Sequence, residues 1–190
     1  MITVTLDPVI QLQAEDFYAL CRQNPDLKLE RSAQGELIIM SPTGGETGRR
    51  NVNLIFQLAM WNEAKQLGEV FDSSTGFSLP NGADYSPDAA WVEKSRWQSL
   101  SSSQRERFVP LCPDFVVEIL SPSDSLKKVQ RKMQDYRGNG CRLGWLINRK
   151  KREVEIYRLQ QAVEILSNPT VIPGEDVLPG FSLNLTKILN

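Results

Sequence analysis

Residues 113–148, PDFVVEILSPSDSLKKVQRKMQDYRGNGCRLGWLIN, decide how this chain folds. FVVEIL (115–120) is a continuous apolar run carrying one acid, the pattern of a strand covered on both faces. Ser123 or Asp124 then suits a helix N-cap. Leu126, Val129, Met133 and Tyr136 recur at helical spacing until Gly138 and Gly140 stop the helix near Arg137. RLGWLIN (142–148) returns as a second buried strand. This succession predicts a βαβ unit with a right-handed crossover.

Glu118 stands inside the first of these strands, among Phe115, Val116, Val117, Ile119 and Leu120. An ionised carboxylate there is costly unless a cation or a metal meets it. Asp114 shares its strand parity and faces the same side. Another acid, Asp88, opens the strand DAAWV directly after Pro87, and the loop before it carries Asp84. Lys132 lies three residues after Val129 and four before Tyr136, so it borders the apolar stripe of the helix and can reach the sheet along the core edge. Asp88, Glu118 and Lys132 are the groups that metal-assisted phosphodiester hydrolysis uses. The acids hold a divalent ion, and the lysine orients the attacking water and offsets phosphate charge. Each also has an ordinary explanation: an arginine partner for Glu118, a strand terminus for Asp88, and for Lys132 a basic solvated face shared with Lys127, Lys128 and Arg131. Tyr136 reads as a core aromatic. The sequence contains no histidine, which removes Ser-His and Cys-His triads, His-ligated zinc and histidine acid–base chemistry together.

The 190 residues suit one domain spanning 1–190, with 41% hydrophobic and 24% charged residues. A formal net charge of −1 argues against a general nucleic-acid coat but not against a local basic face. Cys21, Cys112 and Cys141 are far apart and form no C-x-x-C pair, as expected of reduced thiols in a cytoplasmic protein. The N-terminal residues do not read as an export signal, and no stretch approaches the roughly 20 apolar residues of a membrane span.

Outward from the central unit, AEDFYALCRQ (14–23) predicts a first helix, and LKLERS with ELIIM a β-hairpin around AQG. A long helix is expected from Glu46 or Thr47 to about Leu67, with Leu54, Ile55, Leu58, Trp61 and Ala64 facing inward and Gly68 ending it. Glu46 complements the dipole in its first turn, and Arg49 and Arg50 are candidate phosphate contacts. EVFD, GFSLP and DAAWV read as short strands, and 94–109 as a mobile loop with a short helix. EVEIYR, AVEILS and GFSLNL add strands toward the end. The class is a mixed α/β fold, with a curved mixed sheet flanked by helices and preceded by a helix and hairpin.

The runs PDFVVEILSPSD, VQRKMQDYRGNGCRLGWLIN and EVEIYR, with MSPTGGETGRRN, SPDAAWV and LPGFSLNL, resemble the bacterial Uma-type restriction endonuclease family of the PD-(D/E)XK nuclease superfamily. The resemblance covers nearly the whole chain. It implies a restriction-endonuclease-like core, a homodimer, and hydrolysis of DNA phosphodiester bonds with Mg²⁺, or Mn²⁺ in its place. Asp88 and Glu118 would be the metal-binding acids, joined by the backbone carbonyl of Ile119, and Glu46 the helix-borne acid that assists them. The chain departs from the superfamily pattern at Leu120, where a lysine is expected. Lys132 is the candidate substitute, as in branches where the lysine comes from the next helix. Two alternatives stay open: a nuclease-fold domain without catalysis, serving as a nucleic-acid or protein interaction module, and a metal-dependent hydrolase acting on another substrate.

Overall fold

The computed structural model describes residues 2–7 and 9–190. The chain begins with β1 (Ile2–Val4), α1 (Ala14–Gln23), the hairpin strands β2 (Lys28–Arg31) and β3 (Leu37–Met40), and the long α2 (Gly45–Lys65). Strands β4 (Gly68–Asp72), β5 (Phe77–Ser78), β6 (Asp84–Tyr85) and β7 (Ala89–Glu93) follow, then the short α3 (Lys94–Gln98) and α4 (Ser102–Arg105). The central unit is β8 (Phe115–Ile119), α5 (Leu126–Gly138) and β9 (Leu143–Asn148). Behind it come β10 (Glu153–Arg158), β11 (Glu164–Ser167), β12 (Val171–Pro173), β13 (Ser182–Asn184) and α6 (Thr186–Leu189).

The strands divide between a six-stranded mixed sheet, β11-β10-β9-β8-β7-β4, and a five-stranded antiparallel sheet, β1-β3-β2-β6-β5, with β12 and β13 as a separate ribbon. β8 and β9 run parallel, in register from Phe115↔Leu143 to Ile119↔Ile147, because α5 carries the chain back over the sheet. Strand parity then sorts the side chains. Phe115, Val117 and Ile119 face α2 with Trp145 and Ile147, where Leu54, Leu58, Trp61 and the late residues Phe181 and Leu183 complete one core. Val116 and Leu146 face α5 with Val129, Met133 and Tyr136, which form a second core against Phe77 and Tyr85. Glu118 has the parity of Val116, so period-two alternation aims it at α5.

Several local expectations change. β1 pairs with β3, extending the hairpin to three strands. α2 is closed by Gln66 in the left-handed region (φ 53°) and not by Gly68. Gly68 instead opens β4, where a Cβ would lie 2.2 Å from the Val92 carbonyl oxygen and 2.5 Å from the Trp91 ring. Residues 94–109 are tied down: Ser101 and Gln104 form a capping box, Val109 exchanges backbone hydrogen bonds with Gly76 and Ser78, and Phe108 packs on Tyr18. Ser125 is the N-cap of α5, while Asp124 accepts the Ser121 N–H. Asp114 receives the Glu93 N–H and pairs with Arg96 at 2.8 Å, a strand-end role.

Because the Gly68 site is closed by backbone and indole, Gly68→Ala should destabilise the fold by about 1–3 kcal/mol through overpacking. Equilibrium denaturant unfolding checks this, and a midpoint equal to the parent's would contradict it.

Candidate active site

The acid that β8 turns toward α5 meets an amine there. Lys132 Nζ lies 2.7 Å from Glu118 Oε1 and 2.8 Å from Glu30 Oε1. Glu30 comes from β2, whose backbone alternation sends Lys28 and Glu30 to one face and Leu29 and Arg31 to the other. Arg31 is taken by Asp84 at 2.8 Å. Glu30 is 1% exposed, and Glu118 and Lys132 are each 9% exposed, so the amine and its two carboxylates interact largely out of water. The Ser86 N–H also donates to Glu30 Oε1 (2.8 Å), and the Tyr136 hydroxyl sits 3.4 Å from Glu118 Oε1. Among the described residues Glu118 Oε2 has no hydrogen-bond partner, and the residue lines a cavity of about 400 Å³.

Asp88 lines the same cavity from the start of β7. Its Oδ2 accepts the Ile119 N–H (2.7 Å) and its Oδ1 the Asn51 side-chain amide (2.8 Å). The amide of Ile119 therefore points across to the Asp88 side of β8. Its carbonyl shares that edge, and extending the Ala89↔Val117 register places it opposite Pro87, which has no N–H to offer. Asn51 reaches the site because the inward stripe of α2, Leu54, Leu58 and Trp61, continues toward the N-terminus as Asn51 and Thr47. The first turn of this 21-residue helix has no side-chain cap, and its positive end opens at the cavity beside Gly44.

Two carboxylates thus share one ammonium, with Asp88 beside them on the same cavity wall. Burial pushes the Glu118 carboxyl up to about 7; Lys132 opposes the rise, while Asp88 and Glu30 add to it. Asp88 is likewise raised by burial, against the Ile119 N–H, Lys28, Lys132 and Asn51. Burial alone would lower the Lys132 ammonium, but Glu118 and Glu30 outweigh it and hold the proton on. The wall of the cavity carries more negative charge than its own cations neutralise, an arrangement that favours an added cation. The donors open to it are hard oxygens, the kind that Mg²⁺ takes while keeping several waters. Among the described residues no group of three or more His, Cys, Asp or Glu side chains is placed to hold a metal.

Of the residues expected from sequence, Asp88, Glu118 and Lys132 come together and Glu46 does not. Glu46 is exposed, pairs with Arg49 at 3.0 Å and Arg50 at 2.7 Å, and lies off the cavity. Thr47 is its neighbour in sequence but about 100° further round the helix, which decides which of the two enters the cavity. The same pairing engages Arg49 and Arg50, the expected phosphate contacts. Asn51 and Glu30 escaped sequence reading. Asn51 lay on the visible inward stripe, whereas Glu30 meets a lysine 102 residues away that no local pattern announces.

The profile of the Uma2 family, described as "Putative restriction endonuclease", matches residues 14–186. The chain belongs to the Uma2 family. The crystal structure of a "putative nuclease belonging to DUF820" from Anabaena variabilis ATCC 29413 superposes with a TM-score of 0.72. It covers 85% of this chain and 89% of its own at 20% identity, so it supports the nuclease-like fold. No curated protein matches. The Uma2 assignment spans both acids, Lys132 and Glu30 alike, and no described helix is long and apolar enough to cross a membrane.

The raised Glu118 acid gives a signed pH effect. Between its ordinary value of 4.5 and about 7, the folded chain keeps a proton that the unfolded chain has released. Stability contributed by this group is therefore present below pH 4.5 and is lost as pH rises to about 7. Relative to the parent, Glu118→Gln should gain stability between pH 5 and pH 8, read from denaturant midpoints. A difference independent of pH would contradict it.

Proposed function

We propose that this Uma2 protein is an endonuclease that hydrolyses DNA phosphodiester bonds with Mg²⁺, or Mn²⁺ in its place, at the Asp88–Glu118–Lys132 cavity. The observation that carries the reading is the convergence of two half-buried or buried acids on one cavity wall, with an amine locked beside them. Asp88, Glu118 and the Ile119 carbonyl would hold the ion. A bound divalent ion supplies charge neutralisation at phosphate and a water of lowered pKa. The chain's own groups do the positioning. Asn51 and the Ile119 N–H fix the Asp88 carboxylate. Lys132 spends its donors on Glu30, Glu118 and, at 3.5 Å, the Ser86 carbonyl oxygen, which fixes the amine beside the acids. The α2 N-terminus offers uncapped backbone N–H groups to the anion.

Asp88→Ala and Glu118→Ala should each abolish Mg²⁺-dependent cleavage of plasmid and single-stranded DNA while a cooperative thermal transition survives. Either variant cutting at the parent's rate would remove the assignment. Leu120 at the usual lysine position favours a second reading, a nuclease-fold interaction module without catalysis. That reading expects no Mg²⁺ heat in calorimetry and no cleavage, whereas binding lost in Asp88→Ala excludes it.

We further propose a cytoplasmic homodimer. The three cysteines are free thiols, which suits a reducing compartment. The outer face of α2 exposes Val52, Phe56 and Met60 at i, i+4 spacing. A two-fold axis at Phe56 would set Val52 against Met60 and Arg49 beside Glu63 of a second copy, a self-complementary pairing. Phe56→Asp should convert a dimer to a monomer in sedimentation, and a parent that is already monomeric would exclude this interface.

A further inference from the structure

The cavity holds a cation whose role the site described above leaves unassigned. Lys28 projects from β2 on the same face as Glu30, two residues or roughly 7 Å along the strand. It lines the cavity with Asp88, Glu118 and Lys132. Among the described residues its half-buried ammonium makes no ion pair and no hydrogen bond, although Lys132 beside it is held by two carboxylates. Lys28 and Lys132 are the cations of this wall, facing Asp26, Asp88, Glu118 and Asp124. A phosphate entering such a wall meets net negative charge, and the amine not already committed is that of Lys28.

We infer that Lys28 contacts the scissile phosphodiester and supplies the mobile positive charge that Leu120 cannot, while Lys132 serves chiefly as the clamp on Glu118. This rests on the nuclease reading above and divides the work of one motif lysine between two. The position is in reach of the acids: Lys28 lines the cavity with Asp88, and its charge opposes the burial that raises that carboxyl. A long amine at the first residue of β2, with no partner to leave among the described residues, can follow the phosphate at little cost in lost contacts. Hydroxyls of Ser41, Thr43 and Thr47 stand on the same cavity wall to receive the other phosphate oxygens.

The test compares the parent with Lys28→Met and Lys28→Arg. Single-turnover cleavage of a labelled oligonucleotide in Mg²⁺ should slow by about 10²-fold or more in Lys28→Met and recover most of its rate in Lys28→Arg. Oligonucleotide binding without divalent ions, followed against salt, should lose about one unit of slope in Lys28→Met. Thermal stability should stay at the parent's value, since among the described residues Lys28 pairs with nothing, and Mg²⁺ affinity should not fall, since the lost charge opposes a cation at Asp88. A parent that cuts, beside a Lys28→Met that cuts equally fast with an unchanged salt slope, overturns this inference and leaves the nuclease reading intact. A slower Lys28→Met with weakened Mg²⁺ binding also overturns it, by assigning Lys28 to the acids. A parent that neither cuts nor binds DNA removes the nuclease reading, and this inference with it.

Discussion

The ammonium of Lys132, set between Glu118 and Glu30, is the interaction on which the arrangement of this molecule turns. Glu118 belongs to the six-stranded sheet, Glu30 to the five-stranded sheet, and Lys132 to the helix between them. One amine therefore ties three elements together. A buried ion pair adds little net stability over well-packed apolar groups, because desolvation consumes most of the attraction. Removing one partner is different, since about 3–5 kcal/mol is lost when a buried charge is stranded. Such a pair specifies geometry more than it adds stability. It holds α5 in one rotation over the sheet and keeps the Glu118 carboxylate at the cavity wall.

The same charges make the site chemically poised. A wall built of apolar strands can carry acids only where something balances them, and here the balance is incomplete. The burial of Glu118 and Asp88 raises both carboxyls above the ordinary range, which amounts to a standing attraction for positive charge. Asn51 and the Ile119 N–H hold Asp88 still, so the acid meets a cation without rearranging. Rigid placement of this kind is what separates a site from a collection of acids.

How much of this was legible beforehand varies with the distance over which each decision is made. The β8–α5–β9 unit reads directly from FVVEIL, the helical stripe and RLGWLIN, because local periodicity reports which faces are covered. Glu118 and Asp88 stand out because an acid in an apolar run needs a partner. Helical phase explains the misplacement of Glu46. Glu46 and Thr47 are adjacent in sequence, yet only Thr47 continues the stripe of Leu54, Leu58 and Trp61 into the cavity. Gly68 was read as a helix stop because glycine favours that position, but the close approach of Trp91 and Val92 is what requires it.

Local pattern by itself determined the β8–α5–β9 unit, the first hairpin, α1, α2, the buried acids and the lysine bordering its stripe, since these follow from side-chain periodicity and the cost of burying charge. Tertiary structure alone decided that Glu30 and Lys132, 102 residues apart, would share a proton's worth of charge, and that Asn51 would hold Asp88. It also decided that Lys28 would stand at the cavity with no partner among the described residues. Such pairings depend on how two sheets and a helix are docked, and docking is set by the packing of whole surfaces rather than by any short run of residues.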